Sequence, residues 1–171
     1  MGTIDFASLS LQDALDLAIL IENEAAERYQ ELADQMEKHH TAAAARFFEQ
    51  MVVYETKHRD ELTARRRELF GDAAPHVDGS MLWEVEAPEY DKVRAFMTER
   101  QALLVALESE EKAHQFFIDA LPSVADAEAK KLFEELRDEE VVHRNLVQSA
   151  LDATPADSET DDALVDDPVA Q

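Results

Sequence analysis

A glutamate followed three residues later by a histidine occurs twice, in similar surroundings, in this chain of 171 residues. The two segments read FEQMVVYETKHR at 48–59 and FEELRDEEVVHR at 133–144. On a helix, residues three apart lie on one face, so each pair can present a carboxylate and an imidazole to one point. Both groups are good ligands for divalent transition metals. The repeat therefore suggests metal binding, once per segment.

The spacing alone is a weak signal in so acidic a sequence. Four of the six histidines follow a glutamate by three residues, namely His40, His58, His114 and His143. His39, His40 and His76 fall at turns or in a connection, where exposed polar residues are expected. The position of each pair on its helix carries more weight than the spacing.

The elements that must position these residues are helical. The chain has only 3 glycines and 5 prolines and is rich in residues that favour helices. Capping and stop signals predict four helices. These are A from Ser10 to about Lys38, B from Thr41 to Phe70, C from about Tyr90 to Ala120, and D from the Pro122–Asp126 turn to about Leu151.

Two short hairpins joined by a long connection predict an all-α, ferritin-like four-helix bundle with one long crossover between helices B and C. We expect residues 1–151 to form the bundle. The last segment, DATPADSETDDALVDDPVAQ at 152–171, is acidic and too poor in apolar residues to bury a core, so it is predicted to be a disordered tail.

Each predicted helix has an apolar stripe at heptad spacing, and a carboxylate interrupts it near the middle. Helix A has Glu22, helix B has Glu55 with His58, and helix D has Glu140 with His143. The same spacing predicts that Arg65 and Leu69 of helix B and Phe96 of helix C also face inward. Helix C has two equally apolar stripes, one with Glu110 and the other with Glu111 and His114. The internal repeat matches Glu22 to Glu110, which favours Glu110, although His114 stays open as an extra ligand.

Buried carboxylates repel one another and lose their hydration, which raises the free energy of the folded bundle. A pair of divalent cations bound among them would lower it. One glutamate from each of two helices plus Glu-x-x-His from each of the other two is the ligand set of di-iron and di-manganese carboxylate sites. The predicted metal ligands are Glu22, Glu55, His58, Glu110, Glu140 and His143.

The composition argues against several kinds of partner and binding site. A formal charge of −23 disfavours nucleic acid and anionic membrane surfaces as partners. The chain has no cysteine, which removes thiolate metal sites and disulfides. The sequence MGTIDFASLS lacks the basic and apolar regions of a signal peptide, and no apolar stretch could span a bilayer. A cytoplasmic protein is expected.

The sequence resembles the rubrerythrin-like branch of the ferritin-like superfamily over about residues 10–150. The matching segments are IENEAAERYQELADQMEKHH, FFEQMVVYETKH, ALESEEKAHQFF and LFEELRDEEVVH. The resemblance implies that Glu55 and Glu140 bridge two iron ions while Glu22 and Glu110 are terminal ligands. It also implies that Tyr29 is a neighbouring donor or one-electron relay. Manganese or zinc could replace iron.

The resemblance implies a non-haem di-iron oxidoreductase that reduces peroxide or O₂. Rubrerythrins carry a cysteine-ligated rubredoxin domain that this chain lacks, so electrons must come from a separate donor protein. Ala113 stands where rubrerythrins have a further glutamate, and Thr56 where bacterioferritins have a haem methionine. The alternatives are a ferroxidase that passes on iron and a helical scaffold with a vestigial site. A homodimer is expected, and Trp83 in the connection between helices B and C is expected to pack over a bundle end or a neighbouring subunit.

Overall fold

The computed structural model describes residues 5–77, Val85, Pro88 and 97–156. Within that part of the chain there are four helices and no strands. The helices are α1 (Leu11–Lys38), α2 (Ala42–Phe70), α3 (Glu99–Ala120) and α4 (Ala127–Ala153). The predicted all-α, ferritin-like four-helix bundle is confirmed.

Three of the four helices begin at a side-chain cap. Ser10 and Asp13 form a reciprocal capping box at the start of α1, as predicted. Asp126 accepts hydrogen bonds from the backbone N–H groups of Glu128 and Ala129 and so starts α4. Thr41 precedes α2 as expected, but its hydroxyl donates to the carbonyl of Met36 at 3.0 Å and caps nothing.

Helix α3 begins later than predicted. Its N-cap is Thr98, which forms a capping box with Gln101, whereas the sequence prediction placed the start near Tyr90. The predicted start missed this box because the apolar pattern continues upstream of Thr98. Phe96, predicted to face the core, lies outside the described residues.

Two apolar clusters lie at opposite ends of the bundle. One combines the N-terminal halves of α1 and α4 with the C-terminal ends of α2 and α3. The other combines the C-terminal halves of α1 and α4 with the N-terminal halves of α2 and α3. Helices α1 and α4 therefore run in one direction and α2 and α3 in the other, as a single long crossover requires.

Among the described residues the core stripes are as predicted except at two positions of α2, Arg65 and Leu69. Leu103, Ala106 and Phe117 of α3 are buried, whereas Leu104 and Ile118 of the competing stripe are exposed. Leu69 was predicted to face the core but is 52% exposed. It lies in the last turn of α2, where the stripe leaves the bundle.

The described part of the crossover is tied to α1. Arg66 contacts Asp16 at 2.7 Å and donates to the carbonyls of Gly71 and Ala73. Gly71 ends α2 as predicted, with a positive φ of 59° that favours glycine. Trp83, predicted to pack over a bundle end or a second subunit, and tail residues 157–171 lie outside the described residues.

None of the four helices combines the length and apolar character that crossing a membrane requires.

Candidate metal centre

The six predicted ligands meet in one layer between the two apolar clusters. Glu22 follows the last α1 residue of the first cluster, Ile21, and precedes Ala25 of the second. Each of the other three helices likewise places its glutamate between the clusters. All four glutamates are buried, and Glu55 and Glu110 are 0% exposed. Carboxylates therefore form the middle of the core.

The layer has two similar halves. In the first hairpin, Nδ1 of His58 lies 4.0 Å from Oε2 of Glu22. In the second hairpin, Nδ1 of His143 lies 3.2 Å from Oε2 of Glu110. The two imidazole rings stack with centroids 4.8 Å apart and planes 8° apart. Each hairpin thus contributes one carboxylate–imidazole pair, and the stacked rings join them.

The donor atoms are close enough to share metal ions. Ligand atoms of Glu55, His58 and His143 lie within 4.8 Å of one another, and so do those of Glu110, Glu140 and His143. Metal–nitrogen and metal–oxygen bonds are about 2.0–2.2 Å, so two ligands on opposite sides of an ion are about 4 Å apart. The oxygen and nitrogen donors suit iron, manganese or zinc. The residues present therefore fit a two-metal centre.

The protonation of His58 suits metal binding. Burial lowers the pKa of His58, and the nearby His143 and Lys57 lower it further. The neutral imidazole is the form that binds a metal. At neutral pH this side chain is therefore ready to act as a ligand without first losing a proton.

Tyr29 lies where the sequence interpretation expected it, beside the ligands. Its hydroxyl donates a hydrogen bond of 3.1 Å to Oε1 of Glu110. Its ring is buried and stacks on Phe48 at 5.9 Å. A second tyrosine, Tyr54, stacks on His143 with a centroid distance of 6.3 Å. Sequence reasoning missed Tyr54 because it lies beside the apolar stripe of α2, and no motif signals it.

His114 and Glu111 lie outside the layer. Nδ1 of His114 is 3.4 Å from Nη1 of Arg144, and Oε1 of Glu111 is 3.5 Å from Nη2 of the same arginine. Neither residue belongs to the two groups of candidate ligands found among the described residues. The choice of Glu110 over Glu111 therefore agrees with the geometry.

Arg65 was expected to face inward, close to the carboxylates. It is half-exposed instead, and its Nη1 pairs with Oε2 of Glu135 at 2.7 Å. Both residues line a cavity of about 140 Å³ between α2 and α4 that extends to His58. In that cavity, partial burial raises the pKa of Glu139, although the residue as a whole is exposed.

Comparison with known proteins identifies the family. The sequence model named Rubrerythrin matches residues 13–151. The chain belongs to the rubrerythrin family. A search of curated proteins gave no significant match.

Two solved structures are similar to this chain, one in sequence and fold and the other in fold alone. An uncharacterised conserved protein of Magnetospirillum magnetotacticum MS-1 is 33% identical, with a TM-score of 0.68 over 88% of this chain and 99% of that one. The bacterioferritin of Rhodobacter capsulatus, crystallised with a metal-free dinuclear site and haem iron, is 20% identical. Its TM-score is 0.57 over 84% of each chain, which supports the fold alone.

Rubrerythrin family membership supports a di-iron carboxylate protein. This member departs from the family pattern one turn after Glu110, where Ala113 is fully buried. A methyl group cannot replace a carboxylate as a ligand. The resemblance to rubrerythrins implies a further glutamate at this position, and this chain has none there.

Proposed function

We propose that the protein is a non-haem di-iron oxidoreductase that reduces peroxide or O₂ with electrons from a separate donor protein. One observation carries the proposal. Four buried glutamates and two histidines converge in a single layer between the two apolar clusters of the core. Such a concentration of ionised carboxylates is costly inside a bundle, and bound divalent cations would compensate it.

The proposed ligands are Glu22, Glu55 and His58 from the first hairpin and Glu110, Glu140 and His143 from the second. Glu55 and Glu140 come from facing helices and are the proposed bridging residues. A bound pair of iron ions would supply the two electrons for cleavage of the O–O bond. The chain holds the donor atoms in place and keeps bulk water out with apolar clusters above and below.

Tyr29 is proposed to orient Glu110. Its hydroxyl donates to one carboxylate oxygen, which leaves the other oxygen, next to His143, directed at the site. Hydrogen bonds of this kind fix a ligand in the orientation that a metal requires. The buried phenol also has a proton to give to a reduced oxygen product, provided that one binds within reach.

The decisive experiment uses protein loaded with Fe(II) in the absence of O₂. Addition of hydrogen peroxide should oxidise two Fe(II) per peroxide consumed, with water as the product, and within seconds. A ferrous chelator added after the reaction measures the remaining Fe(II). If iron is bound but peroxide leaves it ferrous, the peroxidase proposal is wrong.

The alternative is an iron-handling ferroxidase. It differs in the fate of the metal, because iron would leave the centre after oxidation. Repeated cycles of Fe(II) and oxidant should leave about two irons per chain in an oxidoreductase but deplete or mineralise the iron in a ferroxidase. Elemental analysis after each cycle decides between them and also reports manganese or zinc.

We further propose that the protein is cytoplasmic, that it forms a homodimer and that a separate protein donates its electrons. These proposals rest on the sequence composition and on the family resemblance. Light scattering on the purified protein measures the subunit number directly.

A further inference from the structure

The cavity between α2 and α4 offers a route to the proposed metal centre. Its apolar walls are Leu62, Leu132 and Leu136, and it extends to His58. A volume of about 140 Å³ has room for several water molecules. Among the six proposed ligands, His58 has the most exposed side chain, at 15%. The layer is therefore nearest to solvent at the end of this cavity.

Access along the bundle axis is closed. The apolar clusters above and below the layer contain large, fully buried side chains such as Phe48, Phe117 and Phe133. A hydrated cation would lose its water in passing through such a cluster, which is very costly. A cation must therefore reach the layer from the side, between two helices.

An ion pair spans this cavity from one helix to the other. Arg65 of α2 donates a hydrogen bond of 2.7 Å to Glu135 of α4, and the side chains are 35% and 41% exposed. Ion pairs exposed to this extent contribute little to stability, so they open and close readily. The contact therefore joins the two walls of the cavity, but it is weak enough to break readily.

We propose that the Arg65–Glu135 pair is a gate through which divalent cations reach the metal centre. This inference rests on the proposed function, since it assumes that the layer binds metal. When the two side chains part, a cation enters the cavity between them. It then moves along the cavity, past Glu139, to His58.

A cation fits this route better than an anion. Glu61, Glu135 and Glu139 line the cavity, and among the described residues that line it the one permanent positive charge is that of Arg65. Lys57 and Lys131 pair with Glu61 and Glu135 at 3.6 Å and 3.9 Å, so the mouth is close to neutral until a pair parts. The four carboxylates of the layer supply the attraction inward.

Co(II) is a suitable probe because its visible absorption reports binding without any redox reaction. Stopped-flow mixing gives the association rate, and an excess of chelator gives the dissociation rate. A Glu55→Gln/Glu140→Gln variant, measured in parallel, corrects for Co(II) bound at the acidic surface. Equilibrium dialysis gives the number of ions per chain.

Two single variants separate a gate from a simple effect of charge. Arg65→Gln should speed both association and dissociation by about two- to fivefold, because it removes the pair that closes the cavity. Glu135→Gln should also speed both rates, although it removes a negative charge. Charge alone predicts slower association for Glu135→Gln. In a kinetic gate, affinity changes much less than either rate.

A second ion pair on α4 provides matched controls. Arg137 and Asp138 also pair at 2.7 Å, with side chains 33% and 69% exposed, but neither lines the cavity. Arg137→Gln and Asp138→Asn repeat the two charge changes away from the proposed gate. Their Co(II) rates should stay within about a factor of 1.5 of the wild type, since separated surface charges are largely screened.

The outcomes are distinguishable. Faster exchange in both gate variants, with unchanged controls and two ions per chain, supports the gate. Association in Glu135→Gln that is unchanged or slower overturns the gate and leaves the metal centre intact. If wild-type protein binds no more Co(II) than the Glu55→Gln/Glu140→Gln variant, the proposed metal centre itself is wrong, and the gate falls with it.

Discussion

The contact between Tyr29 and Glu110 is the most specific interaction at the residue scale. A phenol and a carboxylate from different hairpins meet at 3.1 Å in a fully buried environment. A hydrogen bond to an ionised group is stronger than a neutral one, and losing it leaves a buried oxygen without its donor. The hydroxyl therefore stabilises the carboxylate whether or not metal is bound.

Tyr29→Phe should lower the free energy of unfolding of the metal-free protein by about 1–2 kcal/mol. The ring and its stacking on Phe48 remain, so the loss reports the hydroxyl alone. Chemical denaturation measures it. Tyr54→Phe is the matched control because its hydroxyl accepts from Gln50 at the surface, and its cost should be below about 0.5 kcal/mol. Equal losses in both variants would contradict a special role for Tyr29.

At the scale of the elements, the helix caps determine where the bundle begins and ends. Asp13 accepts from the backbone N–H and the hydroxyl of Ser10 and contacts His76 at 2.9 Å. It therefore joins the start of α1 to the crossover as well as capping the helix. Partial burial acts to raise the pKa of Asp13, but the hydrogen bonds with Ser10 and the contact with His76 outweigh it and lower the pKa overall.

Asp13→Ala should destabilise the protein by about 1 kcal/mol at pH 7 through loss of the capping box. A lowered pKa in the folded state means that the ionised form contributes stability above the unfolded value of 3.8. That contribution disappears as the pH falls through the folded pKa. Urea denaturation of both proteins should therefore show the difference shrinking as the pH falls below the unfolded value of 3.8. A difference that grows on acidification would refute this account.

At the scale of the whole molecule, the carboxylate layer divides the apolar core into two parts. Each part is well packed, but the layer between them brings four glutamates together, which is unfavourable without compensating positive charge. Cations bound in the layer would supply that positive charge. Binding and folding stability are consequently linked, because metal that binds only the folded chain stabilises it by mass action.

Glu55→Gln with Glu140→Gln keeps the shape of both side chains and removes two charges. Without metal, this variant should be at least as stable as the wild type, since repulsion in the layer is reduced. With Mn(II) or Co(II) at about 100 times its dissociation constant, the wild type should gain about 2.7 kcal/mol per site and the variant almost nothing. Thermal denaturation with and without metal measures both effects. An equal metal response in the two proteins would show that the carboxylates are not ligands.

Local patterns in the sequence determined most of the fold. The heptad stripes, the Ser10 capping box and Gly71 predict α1 and the end of α2 correctly, because each depends on residues within a few positions of one another. The depth of Glu22, Glu55, Glu110 and Glu140 also follows from periodicity, since one face of each helix must be buried. The late start of α3 at Thr98 was missed because an apolar pattern does not report where its helix is capped.

Contacts between distant segments depended on the tertiary structure. The stacking of His58 on His143, the bond from Tyr29 to Glu110 and the pairing of Arg65 with Glu135 each join different helices. Their geometry depends on how the helices are rotated and spaced, which no periodic pattern specifies. Apart from Arg65 and Leu69, the sequence by itself predicted which residues of the described helices point inward and at what height along the bundle. Only the packing of the four helices determined which of these residues contact one another, and it left a cavity beside His58.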